Sequence, residues 1–201
     1  MTRIAFFDFD GTITSKDTLL SFIRFTHGPF RLALGFILNA PWLLAMRLHL
    51  VSNHQAKQRI LTFFYAKRSL ESFDSQCREF NRDVLPGLVR PKAANELLRL
   101  QNAGFKVVIV SASPENWIIP WATETGADCI GTQLETTVDN KGIIRLTGKI
   151  SGANCHGKEK PRRIRRQYDL SGANEIYAYG DSRADLPLLS MGTVRFYKPF
   201  H

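Results

Sequence analysis

Short, continuous runs of apolar residues recur along the chain. A strand that is buried on both faces of a sheet lacks polar alternation, so such runs predict strands of a parallel sheet. The predicted strands are 3–9, 105–110, 128–131, 175–179 and 194–196. A central sheet is therefore expected to organise the fold.

Helical periodicity fills most of the intervals between these runs. Residues 90–103 have an amphipathic pattern that ends at Gly104, a typical helix-ending residue. The apolar positions of this pattern are Ala94, Leu97, Leu98 and Leu100. Further helices are predicted over 114–125, 158–168 and 183–190, and a β-hairpin over 133–150 with its turn at 139–142. Alternating strands and helices predict the α/β class with a doubly wound parallel sheet.

One long helical block interrupts this alternation. Residues 17–82 are mostly helical in pattern, with breaks expected at Gly28-Pro29 and at Asn39-Ala40-Pro41. Because the block stands between the first two predicted strands, we interpret it as an inserted α-helical cap. The predicted domains are a sheet core formed by residues 1–16 plus 84–201 and a helical cap formed by residues 17–83.

The segment 32–46 within this block holds fifteen residues without a charge. A membrane-spanning helix needs about 20 such residues, and Asn39 and Pro41 interrupt this one, so a single-pass span is not expected. A buried helical pair bent at Pro41 is the favoured interpretation. The alternative is an apolar surface that meets lipid or another chain, with Arg31 and Arg47 at the lipid headgroups.

Composition and charge limit the class of partner. The 201 residues carry a net charge of +9, with an isoelectric point near 9.7. This charge favours anionic partners such as nucleic acid, an acidic membrane surface or phosphorylated small molecules. Three separated cysteines predict neither a disulfide framework nor a zinc site, and the N-terminal apolar stretch is too short for a secretory signal. We expect a cytoplasmic protein, with peripheral contact to an anionic membrane as a further expectation.

Candidate chemistry is concentrated at the ends of the predicted strands. Asp8 and Asp10 follow the first strand, and strand alternation places both on the same side. Two close carboxylates with apolar flanks are costly unless a cation or a shared proton compensates. The pair therefore suits Mg²⁺, or a division of labour in which one carboxylate attacks and the other transfers protons.

Two further strand ends carry polar residues. Ser111 and Ser113 follow the strand 105–110, where hydroxyls and N–H groups at a helix N-terminus can bind phosphate, although the same sequence also forms an ordinary N-cap. Asp181 and Asp185 follow the strand 175–179. Between these two strands lies a basic run, for which a solvated helix face is expected at Arg162, Arg163, Arg165 and Arg166.

Together, these motifs resemble those of the haloacid dehalogenase-like superfamily, in its phosphoserine-phosphatase-like branch (subfamily IB). The matching motifs are DFDGT (8–12), VVIVSAS (107–113), GKEK (157–160) and GDSRADLPLL (180–189). The resemblance covers the whole chain, and a helical cap between the first two motifs is typical of the branch. It implies a Rossmann-like core and phosphoryl transfer rather than dehalogenation, since dehalogenases lack the second aspartate, Asp10.

The resemblance implies a role for each strand-end aspartate. Asp8 would be the nucleophile that forms an aspartyl-phosphate. Asp10 would be the general acid for the leaving alcohol and then the base for hydrolytic water. Mg²⁺ would be bound by Asp8, by the backbone carbonyl of Asp10 and by Asp181, with Asp185 helping from nearby.

The resemblance also implies residues that hold the substrate. Ser111 would bind the phosphoryl group together with N–H groups of the Gly11 and Ala112 region. Asp17, at the entrance to the cap, occupies a position that often faces the substrate in this branch. Its sequence context equally fits the start of a helix.

A lysine would complete the phosphate-binding set. Lys160 is chosen because it precedes the apolar residue Ile164 by four positions, and Lys158 is the competitor. A helix that starts at Pro161 would leave Lys160 at its N-cap.

The predicted function is a Mg²⁺-dependent phosphomonoesterase acting on a small or lipid phosphomonoester. Phosphoserine is not favoured, because its recognition needs paired charges, whereas the predicted cap is rich in Leu, Phe, Ile and Trp42. The cap in this respect resembles membrane-associated phosphatidylglycerophosphate phosphatases of the same branch. Alternatives are a phosphotransferase or phosphomutase with the same intermediate, and a basic nucleic-acid-binding protein. Nucleic acid is disfavoured because no nucleic-acid motif accompanies the basic run.

Overall fold

A five-stranded parallel sheet organises the fold. The computed structural model describes residues 2–48 and 50–201. The strands are β1 (Thr2–Phe7), β2 (Lys106–Pro114), β3 (Asp128–Thr132), β4 (Leu134–Val138), β5 (Ile144–Ile150), β6 (Ala173–Gly180) and β7 (Val194–Tyr197). The sheet has the order β3-β2-β1-β6-β7, and β4 and β5 pair separately as an antiparallel hairpin. The predicted α/β class, sheet strands and hairpin are confirmed.

The central strand β1 is covered on both faces. Ile4, Ala5, Phe6 and Phe7 are fully buried, and Phe7 lies between β2 and β6 in the sheet. The ring of Phe7 stacks on that of Tyr179, with ring centroids 4.0 Å apart. Burial on both faces explains why this strand shows no polar alternation. Its carboxyl end delivers the next residues of the chain to the edge of the sheet where the neighbouring parallel strands also end.

Seven α-helices accompany the sheet in the part of the chain that the structure describes. They are α1 (Thr18–Arg47), α2 (Asn53–Tyr65), α3 (Leu70–Asp83), α4 (Pro91–Asn102), α5 (Glu115–Glu124), α6 (Glu159–Gln167) and α7 (Leu186–Leu189). Helices α1, α2 and α3 stand between β1 and β2 in sequence, as the predicted helical block. Helix α2 also bonds to β5, where Thr62 Oγ1 donates to the carbonyl of Gly148 (2.9 Å). The division into core and cap stays a prediction.

Helix α4 differs from its predicted apolar face at two positions. Leu97 and Leu100 are buried as predicted, but Ala93 is buried in place of the half-buried Ala94, and Leu98 is exposed. The spacing of the buried residues defines one helical stripe, and Leu98 lies outside it. Gly104 follows the helix with a φ of 80°, as expected of a helix-ending glycine.

Helix α1 bends at Gly28, one of the two predicted breaks. Gly28 has φ 77° and ψ 167°, a left-handed conformation that glycine adopts without a steric penalty. The predicted break at Asn39–Pro41 is wrong, because the helix continues through Pro41 to Arg47. Pro41 lies on the exposed side, so the carbonyl that lacks its N–H partner can be solvated rather than buried.

The prediction that segment 32–46 forms a buried helical pair is also wrong. Within it only Gly35 and Asn39 are buried, whereas Phe22 and Ile23, before the bend, are enclosed by the core. By length and composition alone, helix α1 is long and apolar enough to cross a membrane. Only 11% of its apolar stretch is buried. The bend at Gly28 therefore separates a core-packed half of α1 from a largely uncovered half.

Candidate active site

Three carboxylates meet at the carboxyl ends of β1 and β6. Asp8 directly follows β1, and Asp181 and Asp185 follow β6. Each offers an oxygen atom, and these atoms lie within 4.8 Å of one another. Gly11 permits this approach, because its φ is 86° and a Cβ atom there would lie 2.4 Å from Asp181 Oδ2. Three such carboxylates need a cation or protons to be stable together.

Lys160 supplies one positive charge to this cluster. Its Nζ atom lies 2.5 Å from Asp8 Oδ1 and 2.6 Å from Asp185 Oδ1, and the side chain is 2% exposed. Helix α6 begins at Glu159 with Lys158 at its N-cap, so the predicted N-cap position of Lys160 is wrong. This start turns Lys160 inward, and the competitor Lys158 is exposed.

Burial and mutual repulsion perturb the acidity of the cluster. Burial raises the pKa of Asp8 to about 7; Lys160 opposes this rise and Asp185 adds to it. Burial, with Asp185, also raises the pKa of Asp181. Burial acts upward on the pKa of Asp185 too, but Lys160 and hydrogen bonds from Ser182 bring that pKa below its usual value. The cluster is therefore short of positive charge even with Lys160 in place.

The Asp10 carboxylate points to a different set of partners. Its Oδ1 atom accepts hydrogen bonds from the N–H and hydroxyl of Thr18 (2.7 and 2.6 Å), and Oδ2 accepts from Ser113 Oγ (2.6 Å). Asp10 and Asp8 both line one cavity, but only Asp8 joins the carboxylate cluster. This separation follows from the end of β1 at Phe7, because strand alternation no longer governs the turn that carries Asp10.

The predicted phosphate-binding residues occupy unequal positions. Ser111 is fully buried, and its Oγ accepts the N–H of Ser113 (3.0 Å) and donates to Asp10 Oδ2 (3.4 Å). Ser113 rather than Ser111 lines the cavity. Ala112 lines the cavity beside it. Gly11 lies against Asp181 rather than on the cavity wall. The binding roles of Ser111, Ala112 and Gly11 stay predictions.

Asp17 combines the two readings of its sequence context. Its Oδ1 atom accepts the N–H of Leu20 (3.1 Å), which makes it the N-cap of α1, and it also lines the cavity. Desolvation, with repulsion from Asp10, raises its pKa. A carboxylate so placed can meet a polar group of a bound molecule, although its substrate role stays a prediction.

Lys57 is a site residue that sequence reasoning missed. It comes from α2, lines the cavity, and donates from Nζ to the carbonyl of Ala112 (2.7 Å). Desolvation lowers its pKa, and the carboxylates of Asp10 and Asp17 partly offset this effect. A signal existed in the sequence, because Lys57 precedes the buried residue Ile60 by three positions and so shares its helix face.

The basic run of α6 departs in part from the expected solvated face. Arg162, Arg165 and Arg166 are exposed, as predicted. Arg163 is instead largely enclosed and donates hydrogen bonds to the carbonyls of Gly131 and Ala153. Because Arg163 ties α6 to β3 and to the segment at Ala153, it helps to fix the helix that presents Lys160.

A cavity of about 450 Å³ joins these groups. Its floor is polar and includes Asp8, Asp10 and Lys160. Its walls are largely apolar, and the contributing side chains are Leu19, Leu20, Phe36, Leu43, Met46 and Ile60. The cavity can therefore hold a molecule with an anionic group at one end and an apolar portion beyond it.

Comparison with curated proteins places the chain among phosphatase relatives. It is 32% identical over 197 residues to the Caulobacter vibrioides protein CicA, covering 96% of this chain and 85% of that protein. It is 30% identical over 190 residues to a Mycobacterium tuberculosis protein named as a probable phosphatase, covering 92% of this chain and 64% of that protein.

Solved structures share the fold. A Bordetella pertussis protein of unknown function superposes with a TM-score of 0.80 at 26% identity, covering 96% of this chain and 88% of that one. A substrate-bound phosphoserine phosphatase superposes with a TM-score of 0.68 at 15% identity, covering 98% of this chain and 86% of that one. The family model described as haloacid dehalogenase-like hydrolase matches residues 5–190. The chain belongs to the haloacid dehalogenase-like hydrolase family, and its neighbours in fold include phosphoserine phosphatases.

Proposed function

We propose that this protein is a Mg²⁺-dependent phosphomonoesterase that works through an aspartyl-phosphate on Asp8. The observation that carries this proposal is the placement of Asp8 on a cavity floor, beside Lys160 and two further carboxylates. The second aspartate of the motif, Asp10, lines the same cavity. Hydrolysis is the general activity of the family. The aspartate pair supports phosphoryl transfer as the specific chemistry of this protein.

The reaction divides into two displacements. In the first, an Asp8 carboxylate oxygen forms a bond to phosphorus as the bond from phosphorus to the ester oxygen breaks, and Asp10 gives its proton to the departing alkoxide. In the second, water attacks the same phosphorus, Asp10 takes a proton from that water, and Asp8 leaves as a carboxylate. The products are an alcohol and inorganic phosphate, and both aspartates return to their starting states.

The residues around Asp8 fit a hard divalent cation. Asp8, Asp181 and Asp185 offer three carboxylate oxygens within 4.8 Å of one another, and Lys160 alone leaves them short of positive charge. Mg²⁺ prefers such ligands and keeps water and phosphate oxygens in its other positions. When bound, it would neutralise charge on the transferred phosphoryl group. The donor set therefore supports the Mg²⁺ prediction.

The cavity walls support a phosphomonoester with an apolar portion as the substrate class. Phe36, Leu43 and Met46 come from the second half of α1 and face the polar floor across the cavity. A small, highly polar alcohol would leave these side chains without contacts, whereas an acyl chain or another bulky apolar group would cover them. We therefore include lipid phosphomonoesters beside small soluble ones in the proposed range.

The test of the proposed function is release of inorganic phosphate from a panel of soluble and lipid phosphomonoesters. We expect Mg²⁺-dependent release. Chelation by EDTA should lower the rate by about two orders of magnitude or more, because stabilisation worth several kcal/mol is lost. Restoring Mg²⁺ is the control. Phosphoryl transfer to an added alcohol without free phosphate would identify a phosphotransferase instead, and a rate that ignores EDTA would contradict the metal requirement.

Removal of the Lys57 ammonium is expected to weaken turnover. In a Lys57→Met variant, kcat/KM for a soluble substrate should fall by roughly 10- to 100-fold, because a charge-assisted hydrogen bond to the anionic substrate is lost. Arg59→Met on the same helix is the matched control, since Arg59 is exposed and contacts Trp42. If Lys57→Met lowers thermal stability but not kcat/KM, the lysine only supports the end of β2 at Ala112.

A further inference from the structure

The second half of α1 exposes an apolar stripe along its length. The stripe residues recur at intervals of four and three positions, so they lie on one side of the helix. They are Phe30, Leu34, Ile37, Pro41, Leu44 and Leu48. Phe30 is 89% exposed and Ile37 is 69% exposed. A contiguous apolar surface of this kind on a folded protein marks an interaction site.

The opposite side of the same helix is already occupied. Gly35 packs so closely against Phe64 of α2 that a Cβ atom at Gly35 would lie 2.2 Å from the Phe64 ring. Phe36, Leu43 and Met46 line the cavity. Among the residues that the structure describes, the stripe therefore faces away from the rest of the protein.

The charge around the stripe indicates an anionic partner. From residue 18 to residue 70 the chain has no acidic residue, and it has seven basic ones: Arg24, Arg31, Arg47, Lys57, Arg59, Lys67 and Arg68. Arg31 and Arg47 are exposed and lie near the two ends of the stripe, just inside Phe30 and Leu48, with no charge between them. Exposed apolar residues flanked by arginines are the composition of helices that lie in the headgroup region of an anionic bilayer.

A second copy of this chain fits the same stripe less well. Spacing of four and three positions is also that of a coiled-coil seam. Parallel pairing would place Arg31 beside its equivalent, and antiparallel pairing would place Arg31 beside Arg47 of the other copy. Because no acidic residue on α1 can offset this repulsion, an anionic surface is the better complement.

We propose that the exposed stripe of α1 docks this protein on the surface of an anionic lipid bilayer, with the helix lying along the interface. The helix lies along the surface rather than across the bilayer, because its inner side is fixed to α2, whose Gln55, Gln58 and Arg59 are polar. The cavity is lined by the same half of α1, so docking places the cavity near the lipid surface. The inference concerns binding and does not depend on the proposed reaction.

The experiment measures sedimentation of the protein with vesicles. One set is phosphatidylcholine alone, and the other is an equal mixture of phosphatidylcholine and phosphatidylglycerol. We expect the wild-type protein to sediment with the mixed vesicles and to remain largely in solution with the neutral ones. Ile37→Ser/Leu44→Ser should lower the partition coefficient by at least about tenfold, because two large apolar side chains no longer enter the interface.

Matched variants separate this effect from general loss of apolar surface or charge. Leu98→Ser/Val138→Ser removes two side chains of similar exposure elsewhere and should leave vesicle binding unchanged. Arg31→Gln/Arg47→Gln should weaken binding to the mixed vesicles by roughly fivefold per arginine. Arg165→Gln/Arg166→Gln removes the same charge from α6 and should weaken binding much less.

Three results would overturn the inference: no sedimentation of the wild-type protein with the mixed vesicles, equal sedimentation with the neutral ones, or wild-type binding by Ile37→Ser/Leu44→Ser. A dimer in analytical ultracentrifugation that Ile37→Ser/Leu44→Ser dissociates, without vesicle binding, would assign the stripe to a second copy. Asp8→Asn should bind vesicles as the wild-type protein does, so failure of docking and failure of the proposed reaction are distinguished.

Discussion

An Asp8→Asn variant is expected to release phosphate at least about 10⁴-fold more slowly than the wild-type protein, since loss of a nucleophile removes the covalent route. The amide of asparagine is neutral and a poor nucleophile, yet it has nearly the size of the carboxylate. Lys160 keeps Asp185 as an ion-pair partner in this variant, so the fold should persist. The measurement is kcat/KM for the best substrate of the panel, with thermal unfolding as the check on folding.

A matched control makes the loss specific to the site. Asp83→Asn changes an exposed aspartate that pairs with its neighbour Arg82, and should leave kcat/KM unchanged. Rapid quenching of the wild-type reaction should reveal a phosphoryl group on the peptide that contains Asp8, and the Asp8→Asn variant should lack it. Activity within tenfold of wild type in Asp8→Asn would exclude Asp8 as the nucleophile.

Replacing Lys160 by methionine is expected to have the largest effect on stability. Lys160 is buried between Asp8 and Asp185, and its loss leaves two enclosed carboxylates without a cation. Breaking a buried ion pair in this way typically costs about 3–5 kcal/mol. The measurement is the free energy of unfolding in urea at neutral pH, in EDTA so that no divalent cation replaces the ammonium.

The loss should depend on pH in a defined direction. Without Lys160, burial and mutual repulsion raise the folded-state pKa of both carboxylates above the unfolded value of about 3.9. The folded state then binds protons that the unfolded state has released. The destabilisation is therefore smallest below about pH 4 and grows as the pH rises through the folded-state pKa values. Asp8 already shows an upward pKa shift, to about 7, with Lys160 in place.

Two further variants test the cause of this instability. Lys160→Met/Asp185→Asn removes one of the two stranded charges and should recover part of the lost stability. Lys158→Met changes the exposed neighbour two positions earlier and should leave the free energy of unfolding unchanged. Equal losses in Lys158→Met and Lys160→Met would show that the ion pair is not the source of the effect.

Sequence determined those features that depend on local chemistry. The run from Ile4 to Phe7 is apolar without alternation, and this alone identifies a central strand because only burial on both faces tolerates such a run. Gly28 ends the straight part of α1 because a left-handed turn favours glycine. Asp8, Asp10, Asp181 and Asp185 were found from their places after strands, since parallel strands end at one edge of a sheet.

Tertiary structure decided which charged groups meet. Lys158 and Lys160 differ by two positions, and only the start of α6 at Glu159 turns Lys160 inward. The pattern of α2 places Lys57 on the helix face of the buried Ile60, but only the fold brings its Nζ atom to the carbonyl of Ala112, 55 positions later in the chain. The Asp10 carboxylate lies outside the carboxylate cluster and accepts a hydrogen bond from Thr18, because β1 ends before Asp10.

The second half of α1 shows most clearly what the sequence determines and what the tertiary structure decides. Its sequence is apolar on both sides of the helix. The pattern therefore predicts a helix but does not indicate which side is buried. Packing of Gly35 against α2 chose the inner side, and the stripe from Phe30 to Leu48 was left outside. Burial is a property of neighbours brought from elsewhere in the chain, which is why only the assembled fold could decide it.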